Sequence, residues 1–219
     1  MTAAKVHYTI DSLDAKLLAA ESVLKQLSSI TKTAASTIKA RCSLDGRLDF
    51  ARLDEHQQTS YDLAFMVAEI SAANAGIRYA RQVDHHSMAI SIALVFCAET
   101  VKTTLERLLV RPSDFGQSRQ EVLSIYSGEM FENFFDEYQS SAVLTELGKQ
   151  ICDADLVRLP SVLTEEKELV RETFYRFANE VVAPLAEEIH REDLDIPDEI
   201  LKPAAELGCF GTCIPEEYG

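Results

Sequence analysis

The stretch LDAKLLAAESVLKQLSSITKTAASTI, residues 13–38, places an apolar or small side chain at every third or fourth position. These positions are Leu13, Leu17, Ala20, Leu24, Leu27, Thr31, Ala34 and Ile38. Such spacing keeps one stripe on a single helix face, because an α-helix completes a turn about every 3.6 residues. The stretch therefore predicts a long amphipathic helix whose stripe packs against other helices.

Three more helices are predicted along the chain that follows. Residues 63–80 repeat the same spacing, and residues 88–110 are apolar on nearly every side over their first half. Residues 118–138 open with a capping box, in which Glu121 lies three positions after a serine. The Asp-Gly turn within residues 43–50 links the first two helices. Four long helices with short links favour an all-α fold, an up-and-down helical bundle.

The composition of the chain changes near residue 160. Five of the six prolines lie in the last sixty residues, and residues 164–219 hold 5 basic and 15 acidic side chains. We expect a domain boundary within residues 153–163. This boundary divides the chain into a helical bundle over residues 1–155 and a second helical region over residues 156–219.

Charge and cysteine content limit the function classes. The formal net charge of −15 repels phosphate backbones and anionic lipids, so nucleic acid is not an expected partner. The five cysteines are odd in number and scattered, which favours a reducing compartment and a cytoplasmic location. The first residues lack the features of a signal or transit peptide, and we expect no apolar run of membrane-spanning length.

Metal-binding and redox patterns are weak in this sequence. A di-iron site in a helical bundle needs two Glu-x-x-His pairs, and the chain contains a single one, at residues 187–190. The adjacent His85 and His86 are expected in an exposed polar turn. Cys209 and Cys213 form one pair where zinc would need two, so they are expected to be small buried hydrophobes. We predict no metal site and assign no catalytic residue.

Residues 164–219 follow a distinct order of elements. A helix is predicted from Thr164, kinked by Pro184, and a short helix from Pro197 is closed by a left-handed turn at Gly208. The following residues, 209–219, are predicted to be extended. The buried face of the first helix is predicted to comprise Val170, Phe174, Phe177, Val181 and Leu185.

This order resembles the N-terminal helical domain of acyl-CoA dehydrogenases. The similar segments are VAPLAEEIHRED, the proline-initiated helix PDEILKPAAEL, the turn ELGCFG and the element IPEEYG. The resemblance covers about the last quarter of the chain, residues 164–219. It implies a flavoenzyme of fatty acid metabolism, in which a glutamate takes the α-proton of an acyl-CoA and the β-hydrogen leaves as hydride to FAD. It also implies a homo-oligomer and an electron-transfer flavoprotein as acceptor, with oxygen as the alternative acceptor in related oxidases.

The site residues implied by the resemblance lie in one turn. In family members this turn lies near the acyl-binding side, so Pro215, Glu216, Glu217, Tyr218 and Gly219 are the candidate substrate-side residues. A structural turn that starts the next segment is the alternative reading of the same residues. The resemblance assigns the catalytic base to none of the residues in this chain.

Family members continue through a β-barrel that cradles the flavin and a C-terminal bundle that supplies the catalytic glutamate. The resemblance therefore implies that this chain is the N-terminal part of a longer enzyme, inactive and without FAD by itself. A non-catalytic helical scaffold or oligomerisation module is the alternative. The helices at residues 61–80 and 88–110 are similar to paired helices of the family's C-terminal bundle. This similarity implies antiparallel neighbours that serve oligomer contacts.

Overall fold

The computed structural model describes residues 10–83, 86–154 and 159–218. The chain divides into two compact units, Met1–Val162 and Leu163–Gly219. We refer to them as the bundle unit and the C-terminal unit, and each is described by itself.

The bundle unit is built almost entirely from helices, which confirms the all-α prediction. Its first elements are α1 (Ile10–Arg41), a hairpin of β1 (Ser43–Leu44) and β2 (Arg47–Leu48), α2 (Phe50–Glu55), α3 (Gln57–Gln82) and α4 (Ser87–Val110). A 3₁₀ turn (Pro112–Phe115), α5 (Arg119–Tyr126), α6 (Glu129–Tyr138) and α7 (Ser141–Asp153) follow. Residues 84–85 and 155–158 lie outside the described residues.

The core of the bundle unit lies where α1, α3 and α4 pack against one another. The stripe predicted for α1 is buried from Leu17 to Ile38, and Leu13 packs against its edge. α4 carries 11 buried residues, more than α1 or α3, as its apolar composition predicts. Burial of these side chains is the main source of stability for the three helices.

α4 has a second property that follows from the same composition. Among the described residues, it is the single helix long and apolar enough to cross a membrane, and 56% of its apolar window is buried in the structure. The expectation that no apolar run reaches spanning length is therefore wrong. Burial accounts for the composition, because the core helix of a packed bundle also needs apolar side chains on most of its faces.

α3 and α4 run antiparallel, as the sequence predicts. Arg111 near the end of α4 pairs with Asp62 near the start of α3. About one turn before Arg111 in α4, Arg107 Nη1 lies 2.6 Å from Oε2 of Glu69, which lies about two turns after Asp62 in α3. Because the partners move in opposite directions along the two helices, the ion pairs define the antiparallel register.

The prediction of one continuous helix over residues 118–138 is wrong, because this stretch forms two helices, α5 and α6. The backbone N–H of Ser127 donates to Leu123 at 2.9 Å and that of Gly128 to Ile125 at 3.0 Å, which closes α5. Gly128 then adopts an extended conformation, φ −75° and ψ 136°, and α6 starts in a new direction. The capping box at the start of α5 is confirmed.

The linker between the first two long helices is more structured than predicted. Instead of a turn alone, it forms a two-strand antiparallel hairpin in which Ser43 pairs with Leu48 and Leu44 with Arg47. The Asp-Gly dipeptide forms the tip of this hairpin, in agreement with the turn prediction. α2 then begins with Asp49, whose carboxylate accepts a hydrogen bond from the backbone N–H of Arg52 at 2.9 Å.

The C-terminal unit consists of short helices and turns. These are α8 (Glu165–Phe177), a π-helical turn (Ala178–Val182), α9 (Ala183–Arg191), α10 (Asp198–Glu206) and 3₁₀ turns at Cys209–Gly211 and Glu216–Tyr218. Gly208 closes α10 with φ +76°, as predicted. The extended conformation predicted for residues 209–219 is wrong over the described part. The N–H groups of Gly211, Ile214 and Tyr218 instead close successive tight turns.

The predicted buried face of the first helix in this unit is also wrong. Val170 is 51% exposed. Phe174, Phe177, Val181 and Leu185 are only half-buried. Among the described residues of the unit, Ala204 is the one buried side chain. The helical pattern is correct, but the described residues supply no second layer to cover the stripe.

Candidate functional site

The candidate substrate-side turn begins at Pro215. The backbone N–H of Tyr218 donates to the carbonyl of Pro215 at 2.9 Å, which closes a 3₁₀ turn. Tyr218 is 75% exposed, and Glu217 is exposed as well. Gly219 and the side chain of Glu216 lie outside the described residues. The turn presents a carboxylate and a phenol at the surface, and their role toward a substrate stays a prediction.

A π-helical turn precedes Pro184, where the sequence predicted only a kink. Proline has no backbone N–H, so the carbonyl of Glu180 loses its usual helical partner. The chain responds by widening, and the N–H of Ala183 donates to Ala178, five residues back. Asn179 Nδ2 also donates to the carbonyl of Tyr175 at 2.7 Å. Such widened turns often occur at functional sites, and Pro184 is the sequence signal for this one.

Large apolar side chains are exposed throughout the C-terminal unit. Those at least half exposed are Leu169, Val170, Tyr175, Leu194, Ile196, Phe210, Ile214 and Tyr218. They occur in α8, in the loop before α10 and in the final turns. Exposed apolar side chains in this number are typical of a surface that contacts further protein or a ligand.

The histidines and acids considered for metal binding have structural partners. Arg191 Nη2 lies 2.5 Å from Glu187 Oε1, so the acid of the single Glu-x-x-His pair is engaged in an ion pair. His86 caps α4, with its Nδ1 accepting from the N–H of Ala89 at 3.3 Å. His85 lies outside the described residues. Within the described ranges, no group of three or more His, Cys, Asp or Glu side chains could hold a metal ion.

The cysteine pair of the C-terminal unit differs from its prediction. Cys213 is exposed and Cys209 is half-buried, so the expectation of two buried hydrophobes is wrong. Both lie in the tight turns after α10, where the described residues provide no core. The buried cysteines are Cys42 and Cys97 in the bundle unit. Burial raises the pKa of the Cys97 thiol to about 12, which makes it unreactive at neutral pH.

Two of the other shifted ionisable groups stabilise helices. The hydrogen bond that Arg107 donates to Glu69 raises the pKa of Arg107, and this pair joins α3 to α4. The backbone N–H of Ser118 donates to Glu121 and lowers the pKa of its carboxyl group, and this pair caps α5. These shifts are explained by packing and capping, so they do not mark a catalytic centre.

Two open depressions are present on the described surface. One lies on α10 beside Asp198, Glu199, Lys202 and Pro203, and has a volume of about 280 Å³. The ion pair between Lys202 and Asp198, at 2.9 Å, lies within it. The other is a groove of about 400 Å³ between α1 and α3. Neither brings together the residues of the substrate-side turn.

Comparison with known proteins shows what the C-terminal unit is similar to. The family model for the N-terminal domain of acyl-CoA dehydrogenases matches residues 164–219. Glutaryl-CoA dehydrogenase of Desulfococcus multivorans is 37% identical over 57 residues, which are 26% of this chain and 15% of that protein. Acryloyl-CoA reductase (NADH) of Anaerotignum propionicum is 40% identical over 62 residues, 28% of this chain and 16% of that protein.

One relative matches the bundle unit as well. The (2S)-methylsuccinyl-CoA dehydrogenase of Cereibacter sphaeroides is 26% identical over 210 residues, which are 93% of this chain and 38% of that protein. The chain thus spans less than two fifths of the length of the relatives described here. The match to the family model, the ordered motifs and the identities of these relatives agree. Residues 164–219 are therefore similar to the N-terminal domain of acyl-CoA dehydrogenases.

Proposed function

We propose that this chain is the N-terminal part of an FAD-dependent acyl-CoA dehydrogenase. Such an enzyme oxidises an acyl-CoA thioester to the α,β-unsaturated product. The observation that carries the proposal is the family match over residues 164–219, together with relatives named as dehydrogenases of CoA esters. The coverage of those relatives, 38% at most in the alignments above, is consistent with an enzyme longer than this chain.

The exposed surface of the C-terminal unit supports the same proposal. Leu169 and Phe210 are each 64% exposed, and Ile196 is 57% exposed. Full burial of a Leu, Ile or Phe side chain is worth roughly 1.5–3 kcal/mol relative to full exposure, and less than half of each of these side chains is buried. We infer that the rest of the enzyme covers these side chains and completes the core of this unit.

The described residues do not themselves fit a flavin. The depression on α10 is open, and the exposed side chains around it come from a single helix. The substrate-side turn provides Glu217 and Tyr218 at the surface, without an enclosing wall. We propose that the FAD site and the catalytic base lie in polypeptide outside this chain, and that the 219-residue chain alone is inactive.

The alignment pattern suggests a substrate within the acyl-CoA class. The methylsuccinyl-CoA relative aligns over 210 residues, whereas the glutaryl-CoA relative aligns over 57. We therefore propose (2S)-methylsuccinyl-CoA as the first substrate to test, with glutaryl-CoA as the second. Both are thioesters of dicarboxylic acids, and the longer alignment is the reason for testing methylsuccinyl-CoA first.

We propose a cytoplasmic location, an electron-transfer flavoprotein as electron acceptor and a homo-oligomeric assembly. All five cysteines are free thiols, which is compatible with a reducing compartment. The acceptor and the assembly follow from the family resemblance of the C-terminal unit.

Activity of the native protein tests the proposed function. The protein would be purified from its source with an antibody raised against this chain, and reduction of an artificial electron acceptor would be followed with each acyl-CoA. We expect turnover with a dicarboxylic acyl-CoA and slower turnover with a straight-chain monocarboxylic one. Turnover with monocarboxylic substrates alone would overturn the substrate proposal. Absence of turnover with every acyl-CoA would favour the non-catalytic scaffold.

A further inference from the structure

The groove between α1 and α3 is an open surface of the bundle unit. It has a volume of about 400 Å³, and its apolar wall includes Ala35 of α1 and Val67 and Ile70 of α3. By contrast, the side of α1 and α4 is covered by α6 and the 3₁₀ turn at Pro112–Phe115. We refer to the groove and the adjoining exposed face of α3 as the α1–α3 face.

The exposed face of α3 carries almost no charge. Charged residues make up 26% of the chain, yet residues 63–77 contain a single one, Glu69. Glu69 is turned toward α4, where it pairs with Arg107. The exposed positions in this interval are Ala64, Phe65, Val67, Ala68, Ser71, Ala72 and Ala75. A charge-free exposed helix face of this length is unusual in so charged a chain, and it fits contact with another helix.

A row of cations borders this face. Residues 22–41 contain four basic residues and no acidic ones, in a chain of net charge −15. Lys25, Lys32 and Lys39 recur every seven residues, so they lie on one side of α1. Lys32 lines the groove directly, together with Arg78 of α3. In the described part of the chain, Lys25, Lys32, Lys39 and Arg78 form no ion pair, whereas Arg41 lies 3.7 Å from Asp114.

The described acidic side chains of α1 and α3 are already engaged. Arg81 of α3 pairs with Asp14 at 3.3 Å and with Glu21 at 2.9 Å. Asp62 and Glu69 pair with arginines of α4. A second copy of the chain, docked through the same face, would therefore bring a second row of cations without free carboxylates to meet it. The charge pattern favours a different molecule that is acidic along one side.

We propose that the α1–α3 face binds an acidic amphipathic helix of a partner protein. The row from Lys25 to Lys39 extends over about four helical turns, or about 21 Å, which is longer than a small ligand. Its seven-residue repeat matches carboxylates on one side of a helix. The partner's apolar stripe would pack on the small side chains of α3, as in helix-in-groove recognition.

A synthetic helical peptide of about three heptads tests the electrostatic half of the proposal. It would carry leucine and alanine on one stripe and glutamate at every seventh position, and a matched peptide would carry lysine instead. Binding to the full chain would be measured by fluorescence anisotropy. We expect the acidic peptide to bind and the basic one not to bind. The double variant Lys25→Glu/Lys32→Glu should weaken the acidic peptide about tenfold and gain affinity for the basic one.

A charge reversal elsewhere provides the control. Lys149→Glu, at an exposed position of α7, makes the same change outside the face and should leave both affinities unchanged. If neither peptide binds, if both bind equally, or if both charge variants behave alike, the proposal is wrong.

The proposed apolar contact with α3 is tested by a separate variant. Ala68→Glu places a charge on the exposed face of α3 and should abolish binding of the acidic peptide. Far-ultraviolet circular dichroism would confirm that the helices persist. Sedimentation of the wild-type chain tests whether a second copy of the chain occupies the α1–α3 face instead. A dimer that Ala68→Glu dissociates would assign this face to a second copy and overturn the proposal, whereas a monomer that binds the peptide supports it.

Discussion

Gly116 joins the 3₁₀ turn after α4 to the chain that leads into α5. It has φ +71°, in the left-handed region, and a Cβ added there would lie 2.2 Å from Thr37 Oγ1 of α1. We predict that Gly116→Ala lowers the free energy of unfolding by about 1–3 kcal/mol, from backbone strain and overpacking together. Urea denaturation measures the change.

A second glycine provides the matched control for this prediction. Gly148 lies inside α7, and a Cβ added there meets nothing within 4 Å. Gly148→Ala should raise the free energy of unfolding by about 0.5–1 kcal/mol, because alanine is the better helix former. Equal effects of the two substitutions would show that the close approach to Thr37 does not exist.

At the scale of one helix, the capping box of α5 makes a prediction about pH. The Ser118 N–H donates to Glu121 Oε2 at 2.6 Å, and this bond lowers the pKa of the Glu121 carboxyl group. A lowered pKa means that the cap stabilises the helix above the unfolded pKa and stops doing so as pH falls through the folded pKa. We expect the NMR titration midpoint of Glu121 to lie below that of an unstructured glutamate.

The partner residue tests the cause of this shift. Substitution Ser118→Pro would remove the backbone N–H that donates to the carboxylate, and Ser118→Ala would remove only the hydroxyl that receives the N–H of Glu121. The midpoint should rise more with proline than with alanine. A midpoint at the ordinary value in the wild-type chain would contradict the capping geometry.

The ion pair between Glu69 of α3 and Arg107 of α4 should contribute measurably to stability. Arg107 forms two hydrogen bonds with Glu69, at 2.6 and 3.1 Å, and Thr103 Oγ1 adds a third at 3.0 Å. We expect a double-mutant cycle of Glu69→Gln and Arg107→Gln to give a coupling free energy of about 1 kcal/mol. The half-buried, bidentate geometry is the reason for a value near the upper end of the range for surface pairs.

The exposed pair within α9 is the control for this cycle. Arg191 and Glu187 are 71% and 75% exposed, so their ion pair is screened by solvent. A cycle of Glu187→Gln and Arg191→Gln should give a coupling free energy near zero. Equal coupling in the two cycles would mean that the contact between α3 and α4 lacks the geometry described above.

Local patterns explain which elements could be predicted from sequence. The stripe of α1, the apolar α4 and the capping box of α5 depend on side chains within a few turns of one another, and all three are confirmed. The break at Gly128 depends on a backbone conformation that its neighbours do not determine. The periodicity of α8 and α9 predicts helices but cannot reveal whether another layer covers the stripe.

At the scale of the whole molecule, the two units differ in how much core they contain. The bundle unit buries the stripes of three long helices, whereas Ala204 is the one buried side chain among the described residues of the C-terminal unit. We predict that amides of α4 exchange with solvent far more slowly than those of α8 and α10. Hydrogen exchange of the full chain, read by mass spectrometry, measures this. Comparable protection in both units would contradict the burial pattern.

The candidate site could be predicted only in part from the sequence. The element IPEEYG pointed to the family, and the family match over residues 164–219 agrees with it. The substrate-side role of the turn could not be derived, because it depends on surfaces that the described residues do not include. The α1–α3 face was likewise missed, since it follows from which sides of α3 its neighbours leave open.

The most direct test of the account is the intact mass and visible spectrum of the native protein purified from its source. The account predicts a subunit heavier than the 24.4 kDa of this chain, with the absorbance of a bound flavin that bleaches when an acyl-CoA substrate is added without oxygen. A colourless subunit of 24.4 kDa would contradict it and would favour the helical scaffold.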